Sequence, residues 1–117
     1  MSILDEYFEL SDYASTDKDS FDKLINLFSI TAKVSPSNGS FIDNKDNIEL
    51  FFKSFFDKNK ILKHVWYTNI IDDRNIETKW AVAGIRKDNS IFSFTGTDKA
   101  IIDSDNKISY LEVRFDG

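Results

Sequence analysis

Asp98 follows Phe92, Phe94 and Gly96 in steps of two, and Ala100 and Ile102 continue the same step. Residues two apart on a strand point to one face, so this pattern sets a carboxylate beside two phenyl rings. An acid in such surroundings loses the hydration that favours its charge, and its pKa rises. A carboxyl kept neutral can donate a hydrogen bond to an oxygen that gains charge during a reaction. The competing readings are an aspartate bonded to a turn or paired with a lysine, or one turned outward by a bulge at Gly96. His64 is the second candidate. It is the only histidine in the chain, and histidine is the side chain whose ordinary pKa lies near neutrality. It suits acid–base work or ligand contact, and equally a half-buried structural role. Trp66 shares its strand face by alternation, and Trp80 falls on the next strand with Val82 and Gly84. A tryptophan beside a cavity grips a flat apolar ligand, and it is also an ordinary core or interface residue.

Helices and strands must position these groups. The stretch "SILDEYFELSDYA" opens on Ser2 with Asp5 three residues later, a capping pair, and carries an apolar stripe of Ile3, Leu4, Tyr7, Phe8 and Leu10. Asp19 or Ser20 can cap a second helix whose apolar face is Phe21, Leu24, Ile25 and Phe28. A short strand and the turn "PSNG" follow, then a third helix capped within "DNKDN", with Ile48, Phe51, Phe52, Phe55 and Phe56 on its apolar side. Asn59 is the expected stop. From Ile61 onward the period becomes two. Four strands, "ILKHVWYTNII", "IETKWAVAGIRK", "SIFSFTGTDKAII" and "KISYLEVRF", are joined by the turns "DDRN", "DN" and "DSDN". This is an antiparallel meander. Three helices against a curved, mainly antiparallel sheet make an α+β fold with space for a cone-shaped cavity between the layers.

The 117 residues suit a single domain over 1–117. Eleven phenylalanines imply a core or cavity lining built of rings. The net charge of −5, with no basic cluster, disfavours nucleic acid and anionic membranes as partners. No apolar run approaches the ~20 residues of a membrane span. The first ten residues lack the basic start and apolar stretch of a signal peptide. Cysteine is absent, which excludes disulfides and thiolate chemistry. With one histidine and no cysteine, ordinary zinc sites are excluded, and "DSDNK" lacks the glycine and oxygen ligands of a calcium loop. No metal or cofactor is expected, and a cytoplasmic bacterial protein is the default.

The chain resembles the nuclear-transport-factor-2-like superfamily, and within it the SnoaL-like group, over nearly its whole length. The resemblance rests on element order and on four stretches: Phe21 to Phe28 running into "AKV", "IELFFKSFF", "HVWYTNI", and "GTDKAIIDSDNKISYLEVRF". The last is the most specific. It implies a three-helix, cone-shaped fold and a homodimer. Asn106 stands where the family commonly has glycine before Lys107, and asparagine also tolerates the left-handed conformation. By the resemblance Asp98 matches the acid of the ketosteroid-isomerase oxyanion hole, and Tyr7 matches that enzyme's tyrosine. The position of its carboxylate base falls near Ser35 and Pro36, which offer none. Measured against scytalone dehydratase, His64 matches a pocket histidine and Tyr13 a pocket tyrosine. That enzyme's aspartate falls at Ala14, with Asp12 nearby, and its second histidine at Trp80. Neither set is complete, so a direct copy of either reaction is not expected. The expected function is binding of a small, largely apolar molecule by Tyr7, Tyr13, Phe52, Trp66, Trp80, Phe92 and Phe94, with Asp98 and His64 as polar fixtures. Proton-transfer catalysis by His64 and Asp98 is the first alternative, and a non-catalytic dimerisation or protein-binding module is the second.

Overall fold

The computed structural model describes residues 2–36 and 40–116. Of the expected "PSNG" turn, residues 37–39 lie outside the described residues. Three helices and six strands run in the order α1 (Ile3–Ser11), α2 (Lys18–Ile25), β1 (Phe28–Ser35), β2 (Ile42–Asp43), α3 (Lys45–Asp57), β3 (Asn59–Ile70), β4 (Asn75–Arg86), β5 (Ile91–Ile102) and β6 (Ile108–Phe115). All strands belong to one sheet of order β2-β1-β6-β5-β4-β3. The pairings are antiparallel except β1 with β6, which run parallel. The α+β class and the meander stand, and the parallel β1 joins its free side.

Local chemistry explains most boundaries. Ser2 and Asp5 close a reciprocal capping box on α1. The cap of α2 lies earlier than Asp19 or Ser20: Asp17 takes that position, and its carboxylate accepts from the Ser20 hydroxyl at 2.6 Å. Phe28 belongs to β1, not to the second helix, because α2 ends at Ile25 and the following chain is pulled into the sheet beside β6. Asn44 caps α3 with its side chain and sits at φ 60°. Asn59 opens β3 rather than closing α3, whose C-cap is Lys58. Asn89 and Asn106 turn the chain at φ 72° and 60°, the left-handed conformation that asparagine tolerates.

The helices cover one face of the sheet. Leu4, Tyr7 and Phe8 of α1, Phe28 of β1 and Phe52 and Phe56 of α3 form a buried aromatic and aliphatic layer against it. Ring centroids lie 5.7 Å apart for Phe28–Phe52 and 6.0 Å for Tyr7–Phe52. On the opposite face of β3 to β5, Val65, Tyr67 and Ile91 stand exposed. Among the described residues no helix is long and apolar enough to cross a membrane.

Candidate functional site

On β5 the period of two points Gly96, Asp98, Ala100 and Ile102 to the covered face, and all four are buried. Pairing runs in regular register through Gly96 on both sides, Trp80 opposite it on β4 and Phe115 on β6, so no bulge turns Asp98 outward. The Asp98 side chain is 2% exposed and accepts the Trp80 indole N–H at Oδ1 (2.8 Å). Burial pushes its carboxyl up to about 7, against the opposing pull of that one hydrogen bond. Gly96 makes this contact possible. A Cβ there would lie 2.5 Å from the Trp80 ring and 2.3 Å from the Arg114 carbonyl oxygen. With no side chain in the way, the indole lies over the glycine and reaches the acid. Tyr7, from α1, is also buried. Burial, and next the charge of Asp98, hold its phenol well above the ordinary range, so it stays an O–H donor.

His64 sits on β3 opposite Val82. Its ring Nδ1 lies 2.7 Å from Asp12 Oδ1, and its backbone N–H donates to the same oxygen at 2.9 Å. Asp12 is the C-cap of α1. A carboxylate is disfavoured at that negative helix end, and the two His64 donors offset this. A carboxylate accepts only, so Nδ1 carries the hydrogen and Nε2 keeps its lone pair. Burial lowers the His64 pKa, with Asp12 working the other way, and the ring is neutral near pH 7. A neutral imidazole fixed in one tautomer by an acid is the form a general base takes.

One cavity of about 440 Å³ receives both groups. That lies within the ~300–1,000 Å³ of small-molecule sites. Tyr7, Phe52, Trp80, Phe92 and Phe94 line it together with His64 and Asp98. Its rim carries Phe55, Phe94 and Phe115, all more than two-fifths exposed. Two sequence candidates stay outside. Tyr13 is largely exposed, beside a separate surface groove formed by α1, α2 and Lys107. Trp66 stacks on Phe8 and donates its indole N–H to Asp5 at 3.0 Å, which ties it to the start of α1. Pro36 lines the cavity where the resemblance puts an isomerase base, and supplies no acid.

The lining also includes residues that the sequence reading passed over. Ser11 is four residues from Tyr7, one helical turn along the same face, and donates to the Tyr7 carbonyl at 2.7 Å. Arg86 continues the alternation of Trp80, Val82 and Gly84. Periodicity held the signal for both. Nothing local marked Asp12 as the partner of His64, since 52 residues separate them.

No protein-family model matches the chain, and no curated protein does. Solved structures do. An NTF2-like protein of unknown function from Exiguobacterium sp. 255-15 shares 36% identity, with 98% of each chain covered and a TM-score of 0.87. A likeness of that extent shows the family: the chain belongs to the nuclear-transport-factor-2-like superfamily. Its neighbours include a putative polyketide cyclase from Xanthomonas campestris pv. campestris (9% identity, 97% of this chain and 87% of that one, TM-score 0.80), in accord with the SnoaL-like group. A Mycobacterium tuberculosis protein in complex with estradiol-17β-hemisuccinate shares the fold as well (14% identity, 97% and 93%, TM-score 0.77).

Proposed function

We propose that this protein binds one small, largely apolar molecule in the cavity between helices and sheet, and holds a carbonyl or similar oxygen of it at Asp98. The observation that carries this reading is the meeting of His64 and Asp98 in one cavity whose other walls are mostly aromatic. Near or below pH 7 a neutral Asp98 offers a proton from Oδ2, because Oδ1 already accepts from Trp80. The steroid ester held by the tuberculosis protein, and the cyclase among the neighbours, are ligands and chemistry of this kind.

The geometry of His64 favours proton transfer as the second reading. Its free Nε2 can take a proton from a carbon next to a ligand carbonyl. The C–H pair then shifts to the carbonyl oxygen, where the Asp98 acid donates a hydrogen bond to the enolate. Where a C=C bond adjoins that carbon, the enolate extends over it, and return of the proton to its far carbon completes an isomerisation with no co-reactant. The test is NMR of a panel of flat apolar ketones with the protein in D₂O, at about pH 6. Binders shift the Asp98 carboxyl ¹³C resonance and take up deuterium beside the carbonyl, and His64→Gln stops the uptake while binding persists. If no ketone moves the Asp98 signal, the binding reading falls. If uptake is unchanged in His64→Gln, the catalytic reading falls alone.

A homodimer joined through the uncovered sheet face accounts for exposed Val65, Tyr67 and Ile91. Light scattering then reads twice the 13.5 kDa of one chain, and a mass of one chain at micromolar concentration refutes it.

A further inference from the structure

The far end of the cavity from Asp98 is cationic. Arg86 shares the covered face of β4 with Trp80, Val82 and Gly84 and lines the cavity. Its guanidinium carbon lies 4.4 Å from the centre of the Phe92 ring. Phe92 in turn lies across Gly84, where an added Cβ would come within 2.5 Å of the ring. This stack fixes the guanidinium near the Gly84–Phe92 row, six residues along β5 from Asp98. Six residues of strand span ~20 Å. Lys58 joins Arg86. It is the C-cap of α3, and its carbonyl accepts the Lys87 backbone N–H at 3.0 Å, which ties the helix end to the β4–β5 turn. Val82 and Phe94 separate this end from the floor.

No acidic side chain besides Asp98 belongs to the lining among the described residues. Asp88 lies close enough to Arg86 to feel its charge, but it is exposed, stands outside the lining and accepts from the Ser90 backbone N–H and hydroxyl. Arg86 itself spends one N–H on Ser90 Oγ, at 3.3 Å. The remaining edge of the stacked guanidinium is a planar fork of donors, which suits a planar anion. On a chain of net charge −5, two cations at one end of an aromatic cavity select for a specific anionic group rather than for anions at large.

We propose that the ligand is an elongated apolar acid, with its carboxylate held by Arg86 and Lys58 at the rim and its apolar body running toward Asp98 and His64. This rests on the reading of the cavity as a ligand site. The apolar body must then span on the order of 10–15 Å, once the side chains at both ends have reached inward along the strand.

Calorimetry with decanoate and with methyl decanoate at about pH 6.5 tests it, since the two differ only in the charge of the head group and the acid is ionised there. The wild-type chain is expected to bind decanoate roughly ten- to a hundredfold more tightly, the worth of a charge-assisted carboxylate pair. Arg86→Gln should weaken decanoate far more than the ester, leaving only the part of the preference that Lys58 supplies. Arg86→Lys should fall between, because it keeps the charge and loses the fork. NaCl at about 1 M should narrow the wild-type preference without any substitution. Equal affinity for acid and ester in the wild type, or equal loss of both in Arg86→Gln, overturns the anionic subsite and leaves the apolar site standing. If neither compound binds, the subsite and the site both fall.

Discussion

Trp66 and Trp80 face each other across β3 and β4, and each gives its indole N–H to a different aspartate. The two acids end in opposite states. Asp5 accepts from Trp66, from the Thr68 hydroxyl at 2.8 Å and from the Ser2 backbone N–H at 3.0 Å. Burial pushes its pKa up, but these donors together outweigh burial and hold it below the ordinary carboxylate value. Asp98 accepts from Trp80 and is far more deeply buried, so burial wins. A chain of hydroxyls sharpens the contrast. Thr68 spends its hydrogen on Asp5, so Thr78, 2.8 Å from Thr68, donates to Thr68. Thr78 is the cross-strand partner of Asp98, yet its hydrogen goes to Thr68, the residue that donates to the other acid. A charged carboxylate needs several donors, and here the donors converge on the one that pins α1 to the sheet. The acid left with a single donor among the described residues is the one that faces the cavity.

The largest expected effect breaks the comparison at Asp98. Its carboxyl stands at about 7 in the fold against 3.8 unfolded, a gap of about three units, or on the order of 4 kcal/mol. The folded state holds that proton more tightly, so the contribution is complete below about pH 4 and is lost as pH rises through about 7. Asp98→Asn, permanently neutral, should match the wild type near pH 4 and exceed it by roughly 4 kcal/mol near pH 9. Parallel urea denaturation of both chains across pH measures this. His64, with its lowered pKa, acts in the opposite sense in both proteins and cancels in the difference. A constant difference across pH would mean that Asp98 is charged in the fold.

A smaller effect of opposite sign is expected at Asp5. Asp5→Ala removes the reciprocal half of the α1 cap and leaves the Trp66 and Thr68 donors without their acceptor. The cost should be about 2 kcal/mol. Because the folded pKa is lowered, that stability is present above the unfolded value of 3.8 and fades as pH falls below it toward the lower folded value. The same denaturation series reads it. A cost that grew above pH 7 would mean that the two acids share one titration and are not independent.

Alternation put Asp98 on one face with Phe92 and Phe94, because a one-residue slip would have put a strand's whole apolar set into solvent; the regular pairing through Gly96 is what turned that face inward. The helix stripes, the capping pair at Ser2 and Asp5, and the left-handed Asn106 were legible for the same reason: each is set by residues within a turn or two of one another. Boundaries were weaker where tertiary pairing overrode a local stripe, as when Phe28 left the second helix's apolar pattern to begin β1 beside β6. Tyr13 and Trp66 had the right residue types, but helix termination and the bond to Asp5 turned them away from the cavity.

The sequence by itself determined most of the elements, their order and which candidates share a face, since these follow from periods of 3.6 and 2 and from turn residues. Only the tertiary structure decided partners. It brought Asp12 to His64 across 52 residues, laid Trp80 over Gly96 and onto Asp98, and gave the Thr78 hydrogen to Thr68. It also set Arg86 on Phe92 at the cavity rim. A pKa, a tautomer and a charged rim depend on distances of a few ångströms between chain-distant atoms, and those distances exist only after the sheet has paired and the helices have packed on it.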